Sequence, residues 1–110
     1  MSYDISLYVE VAGLKEPRLE VAKVGNYTYN CGPMFRDAGG GKGLSEFNGA
    51  SCASAAGPLR NIYETLRANP EKYRAMNPEN GWGDYDTFLQ YIGEFVVAVE
   101  ENPAAYIEVS

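Results

Sequence analysis

Between Tyr3 and Val11 the chain alternates: Tyr3, Ile5, Leu7, Val9 and Val11 are apolar or aromatic, and Asp4, Ser6, Tyr8 and Glu10 stand between them. Successive side chains of a strand point to opposite faces, so this pattern describes a strand with one face in a core and the other toward water. Such a strand needs neighbours to pair its backbone and a layer to cover its apolar face. The stretch from Ala12 to Pro17 supplies turn residues, Leu19 to Val24 resume a strand, and Gly25 bulges or ends it, which predicts a β-hairpin. Near the other end Ala105, Ile107 and Val109 alternate with Tyr106 and Glu108, a last strand expected beside the first.

Helical spacing fills the interval. Asn30 is placed to cap a short helix with Pro33 in its first turn and Met34, Phe35 and Ala38 facing inward, and the glycines from Gly39 to Gly43 stop it. Cys52, Ala55, Leu59, Ile62 and Leu66 form one stripe; Pro58 within it predicts a broken helix from Ser51 to Ala68. Asn69 followed by Pro70 starts a further short helix running to about Met76. Asp84 or Asp86 caps the longest helix, whose apolar face is Tyr85, Phe88, Ile92, Phe95 and Val99 with Leu89 and Val96 beside it, ending before Asn102-Pro103. The expected architecture is one α+β domain over residues 1–110, in chain order β-β-α-α-α-β, with a small three-stranded sheet covered on one face by helices. A domain of 110 residues buries roughly two-thirds of the surface of its unfolded chain and needs neither metal nor disulfide to fold. Glu10, Glu20, Lys23 and Glu108 on the strands deter edge pairing by other chains, although a self partner through an edge stays open.

Composition narrows the function. The net charge of -6 repels phosphate backbones, so nucleic acid is not an expected partner, and the acidity reads as a solubility device rather than phosphate mimicry. The longest continuous apolar run, Phe95 to Val99, is far short of the ~20 residues that span a bilayer, so no membrane partner is expected. No basic and apolar leader precedes Tyr3, and Cys31 and Cys52 form no C-x-x-C pair; a cytoplasmic protein with free thiols is the expectation. Histidine is absent, which removes the commonest general base and most zinc ligand sets. Cys31, near a helix start and Arg36, is the one candidate thiol nucleophile, whereas Cys52 lies on an apolar stripe. The run Gly39-Gly40-Gly41-Lys42-Gly43 lacks the spacing and the preceding strand of a phosphate loop and reads as a connector. Asp84 and Asp86 at a helix start need no role beyond capping. A non-catalytic protein with no cofactor and no metal follows; a small enzyme would require converging carboxylates or an activated cysteine.

Three segments in order, Asn26-Tyr27-Thr28-Tyr29-Asn30 with Pro33-Met34-Phe35-Arg36, then Asn69-Pro70-Glu71-Lys72-Tyr73-Arg74, then Asn80-Gly81-Trp82-Gly83-Asp84-Tyr85, make the chain resemble a family of small uncharacterised proteins from phages and actinobacteria. The opening Tyr3-Asp4-Ile5 and the closing Ile107-Glu108-Val109-Ser110 extend the resemblance over most of the chain. It implies no activity and at most a phage accessory or host-modulating role.

Candidate binding residues come from the aromatic and amide segments: Tyr27, Tyr29, Asn30 and Arg36 in one, Asn80, Trp82, Asp84 and Tyr85 in the other. Aromatic faces supply apolar area, and amides and arginine supply directional hydrogen bonds, the mix that holds a protein hot spot, a nucleotide or a sugar. The competing expectation is a clamp, with Trp82 plugging the end of the helix layer and Asn77 and Asn80 satisfying loop backbone. Tyr8, Tyr63, Tyr73 and Tyr106 fall off the apolar stripes and are expected at the surface. The sequence expectation is a small soluble binding protein acting on a host protein, with a nucleotide-like or sugar-like small molecule as the alternative.

Overall fold

The computed structural model describes residues 2–13, 15 and 17–110; Leu14 and Glu16 of the expected turn lie outside the described residues. Strand β1 (Ser2–Glu10) pairs antiparallel with β2 (Arg18–Thr28) on one side and with β3 (Tyr106–Val109) on the other, giving the order β2-β1-β3. The helical layer comprises α1 (Gly32–Ala38), α2 (Cys52–Ala68), α3 (Pro70–Arg74) and α4 (Tyr85–Glu101). The expected α+β class and the strand–helix order are both present.

The period-two pattern of β1 places Tyr3, Ile5 and Leu7 in the core, where they meet Phe88, Ile92, Phe95 and Val99 of α4 and Leu59, Ile62 and Leu66 of α2. Of the two expectations for Gly25, a bulge or an end, the structure shows the bulge, and β2 continues past it. Ile5 faces Gly25 but Ser6 faces Lys23, and Leu7 faces Ala22 but Tyr8 faces Glu20, so Val24 and Val21 are extra residues in two β-bulges. Gly25 carries the first bulge at a φ of 97°, a conformation open to glycine. Asn26, Tyr27 and Thr28 then rejoin the ladder opposite Asp4, Tyr3 and Ser2.

The outer side of β3 is closed by the approach to α2: the Gly49 N–H donates to the Ile107 carbonyl at 2.7 Å, the Ile107 N–H to Ala50 at 2.9 Å, and the Val109 N–H to Asn48 Oδ1 at 2.9 Å. Strand β2 is therefore the open edge among the described residues, and its bulges and its exposed Arg18, Glu20 and Lys23 are features that discourage further pairing.

Helix ends depart from expectation in instructive ways. Thr28, not Asn30, accepts the first backbone donor, capping a 3-10 turn over Tyr29–Cys31 that leads into α1. Helix α2 runs unbroken through Pro58, with Ser51 Oγ accepting the Ser54 N–H at 3.2 Å. The proline is exposed while Ala55, Leu59 and Ile62 on either side of it are buried in one core, so packing of both halves holds the helix together against the lost hydrogen bond. Asn69 closes α2, its Nδ2 donating to the Thr65 carbonyl at 2.8 Å, and makes no side-chain cap to α3. Asp84 caps α4 by accepting the Thr87 N–H at 2.9 Å.

Two tyrosines expected at the surface are buried. Tyr8 is on the solvent side of the sheet, yet the stacked Tyr106 ring and the Arg18 guanidinium, 4.3 Å from its ring centroid, cover it. Tyr73 stacks on Tyr85 and donates its hydroxyl to Asp37 Oδ2 at 2.8 Å. Tyr85 in turn donates to the Leu66 carbonyl at 2.6 Å inside the core. Tyr85→Phe leaves that carbonyl without its partner and is expected to cost about 1–2 kcal/mol, read as a fall in melting temperature of roughly 5–15 °C by circular dichroism.

Candidate binding site around Trp82

The segment from Asn77 to Asp84 connects α3 to α4, and its hydrogen bonds show how it is held. Asn77 Oδ1 accepts the Tyr85 N–H at 2.8 Å, and Asn80 Oδ1 accepts the Trp82 N–H at 2.9 Å, the side-chain turn that asparagine makes readily. Gly81 and Gly83 flank the tryptophan at φ values of 76° and 89°. This reversal brings Gly83 against β2 so closely that a Cβ built there lies 2.6 Å from Thr28 Cγ2 and 3.2 Å from Cys31 Sγ. The Tyr27 hydroxyl accepts the Asp84 N–H at 3.0 Å and lies 2.5 Å from Thr87 Oγ1. Asn30 Nδ2 reaches the Trp82 carbonyl at 3.4 Å.

The loop is thus bound to β2 and to α4, while its largest side chain points away from the protein. Trp82 is 71% exposed, which overturns the expectation that it plugs the helix layer. The other half of the clamp reading holds, since Asn77 and Asn80 do satisfy loop backbone. The indole forms one wall of a cleft of about 560 Å³ whose other lining residues are Ser2, Asn26, Thr28 and Asn30.

The two aromatic-amide segments converge, although not all of their residues meet the cleft. Asn30 and Trp82 line it; Tyr27, Asn80 and Asp84 support the loop behind it. Tyr29 rests on Tyr3 with ring centroids 4.4 Å apart. Tyr85 is buried and faces Tyr73, and Arg36, exposed on the last turn of α1, is not a lining residue. Sequence reasoning missed Ser2, Asn26 and Thr28. Ser2 pairs with Thr28, and Asn26 follows two residues away on the same sheet face, so the hairpin register, once known, assembles them.

Chemically reactive groups are engaged elsewhere. Burial pushes the Cys31 thiol above its ordinary value, the opposite of what a nucleophile needs, and Cys52 is shifted the same way for the same reason. Asp86 accepts from Arg74 Nη2 at 2.8 Å, so it does not converge with the capping Asp84. Among the described residues no group of three or more Cys, Asp or Glu is placed to hold a metal ion, and no helix is long and apolar enough to cross a membrane. A second concavity, between α2 and α4, has Tyr63 and Gly93 in its lining, but its one arginine, Arg60, is taken up by Glu64 and Glu100. Compared with protein-family models, curated proteins and solved structures, the chain matches none of them.

Proposed function

We propose that this is a non-catalytic binding protein and that the turn carrying Trp82 is its recognition element. One observation carries the reading: an indole 71% exposed stands on a backbone pinned from both sides. Exposing a tryptophan forgoes about 1.5–3 kcal/mol of burial, so nothing in the stability of the fold favours this placement. Fixing the loop in advance removes ordering entropy from the binding step, and tryptophan is among the commonest energetic anchors of interfaces. The resemblance to phage and actinobacterial proteins supports an accessory role acting on a host protein. The uncharged lining of the cleft favours a second reading, in which a small hydroxylated molecule is the ligand.

Trp82 is the sole tryptophan, so replacing it with 5-fluorotryptophan gives one fluorine resonance at the site itself. That resonance is expected to shift or broaden in the macromolecular or the small-molecule fraction of an actinobacterial extract. A line that stays in place in both fractions contradicts the proposal. Trp82→Ala is expected to change stability by less than about 0.5 kcal/mol while weakening binding at least ~30-fold, measured by thermal unfolding beside an affinity titration.

A further inference from the structure

We infer that the cleft beside Trp82 takes an uncharged saccharide, an inference that rests on reading the Trp82 turn as a recognition element. The lining is one indole face and four neutral side chains, Ser2, Asn26, Thr28 and Asn30. Among the described residues no lysine or arginine lines the cleft, so none of these walls offers a phosphate or carboxylate a cation. The charge nearest in the register is Asp4, exposed and paired opposite Asn26 on the same strand ladder, which repels anions further. A nucleotide is the wrong chemistry for these walls.

Hydrogen-bonding capacity is left over where a sugar would use it. The side chains of Ser2 and Asn26 make no hydrogen bond among the described residues, and neither does the Trp82 indole N–H. Asn30 spends its Nδ2 on Thr28 Oγ1 at 3.0 Å and on the Trp82 carbonyl, leaving its Oδ1 free to accept. Thr28 Oγ1 accepts twice from Asn30, leaving its hydroxyl proton free to donate. Amides and hydroxyls that offer donors and acceptors side by side match the vicinal hydroxyls of a pyranose, each of which both donates and accepts. The electron-rich indole face attracts the weakly positive C–H bonds on the apolar side of the ring.

Inside the cleft itself, as distinct from the exposed indole, a peptide is less well matched. Interface anchors sit among apolar contacts that exclude water, whereas Trp82 is the one hydrophobic residue among the described residues lining this cleft, and the exposed Leu19 and Val21 lie toward the far end of β2. The cleft volume of about 560 Å³ lies within the range of small-ligand sites, about 300–1,000 Å³.

The test titrates the 5-fluorotryptophan protein with cellotriose, maltotriose, mannotriose and tri-N-acetylchitotriose, and in parallel with AMP and acetyl-tetra-alanine amide. At least one trisaccharide is expected to shift the resonance saturably, with a dissociation constant on the order of 1 mM for so open a site. Asn26→Ala, at an exposed side chain that makes no hydrogen bond among the described residues, is expected to leave the melting temperature unchanged and to weaken that saccharide at least ten-fold. A shift that survives Asn26→Ala at full affinity overturns the cleft as its seat. A resonance that extract fractions, AMP or the peptide move and no saccharide moves overturns the saccharide while leaving the recognition element standing. A resonance that nothing moves overturns both.

Discussion

Gly83→Ala is expected to be among the most damaging single-atom additions in the molecule. Two costs combine at this position. A residue with a Cβ is strained at a φ of 89° by about 1–2 kcal/mol. The new methyl also lies 2.6 Å from Thr28 Cγ2, 3.2 Å from Cys31 Sγ and 3.3 Å from Tyr27 Cε1. None of the three can easily retreat: Thr28 caps the 3-10 turn, Cys31 is fully buried, and the hydroxyl of Tyr27 is tied to Asp84. Overpacking of this kind adds about 1–3 kcal/mol, so the total is about 2–5 kcal/mol and the melting temperature falls by roughly 10 °C or more. Gly81→Ala is the control. Its φ of 76° carries the same strain, but nothing lies within 4 Å of the added atom, and the expected cost is the strain alone, about 1–2 kcal/mol. The difference between the two, measured by denaturant unfolding, isolates the contact between the tryptophan turn and β2.

Steep alkaline unfolding is the second large effect. Burial raises the pKa of Tyr3, Tyr27, Tyr85 and Tyr91 above the ordinary value, and it pushes Tyr73 up to about 12 with help from the hydrogen bond to Asp37. A phenol held protonated in the folded state titrates first in the unfolded chain. The stabilisation is therefore fully present below about pH 10 and is lost as pH rises through the folded values, at up to about 1.4 kcal/mol per pH unit for each tyrosine. Five such groups acting together make stability fall sharply between about pH 10 and 12. Tyrosinate absorbance should rise in step with the loss of circular dichroism; tyrosinate formation completed with the fold intact would contradict the burial of these rings.

The acid limb should be shallow by comparison. Lys72 beside Asp37, Arg67 beside Glu64, Arg74 beside Asp86 and Arg60 beside Glu100 hold these carboxyls below their ordinary range. Their contribution is present above the usual carboxylate pKa and is lost as pH falls. All four pairs are solvent-exposed, and pairs of that kind contribute little.

The sheet's central strand and the long helix were legible because each repeats its period without interruption: every second residue from Tyr3 to Leu7, every third or fourth from Tyr85 to Val99. Strand β2 was legible from Leu19 to Val24, with Gly25 read as a bulge or an end. Each extra residue, Val21 and Val24, reverses the phase of the alternation, so a period-two reading does not give the register that brings Ser2, Asn26 and Thr28 to one face. Pro58 misled for a different reason: its local cost is real, but the apolar stripe on both sides of it is anchored in one core. Tyr8 and Tyr73 escaped because their cover comes from Tyr106, Arg18 and Tyr85, partners distant in the chain or outside the apolar pattern. The exposure of Trp82 was not readable at all. Asparagines and glycines around a tryptophan suit a plug and a platform equally well, and the close approach of Gly83 to Thr28 depends on residues far apart in the chain.

The central claim is that Trp82 is exposed and yet held still before any ligand arrives. Nitrogen-15 relaxation of its backbone amide in the free protein tests this directly. The account predicts an order parameter near about 0.85, equal to that of the neighbouring helices; a value below about 0.6 would mean a flexible loop and would contradict a recognition element fixed in advance.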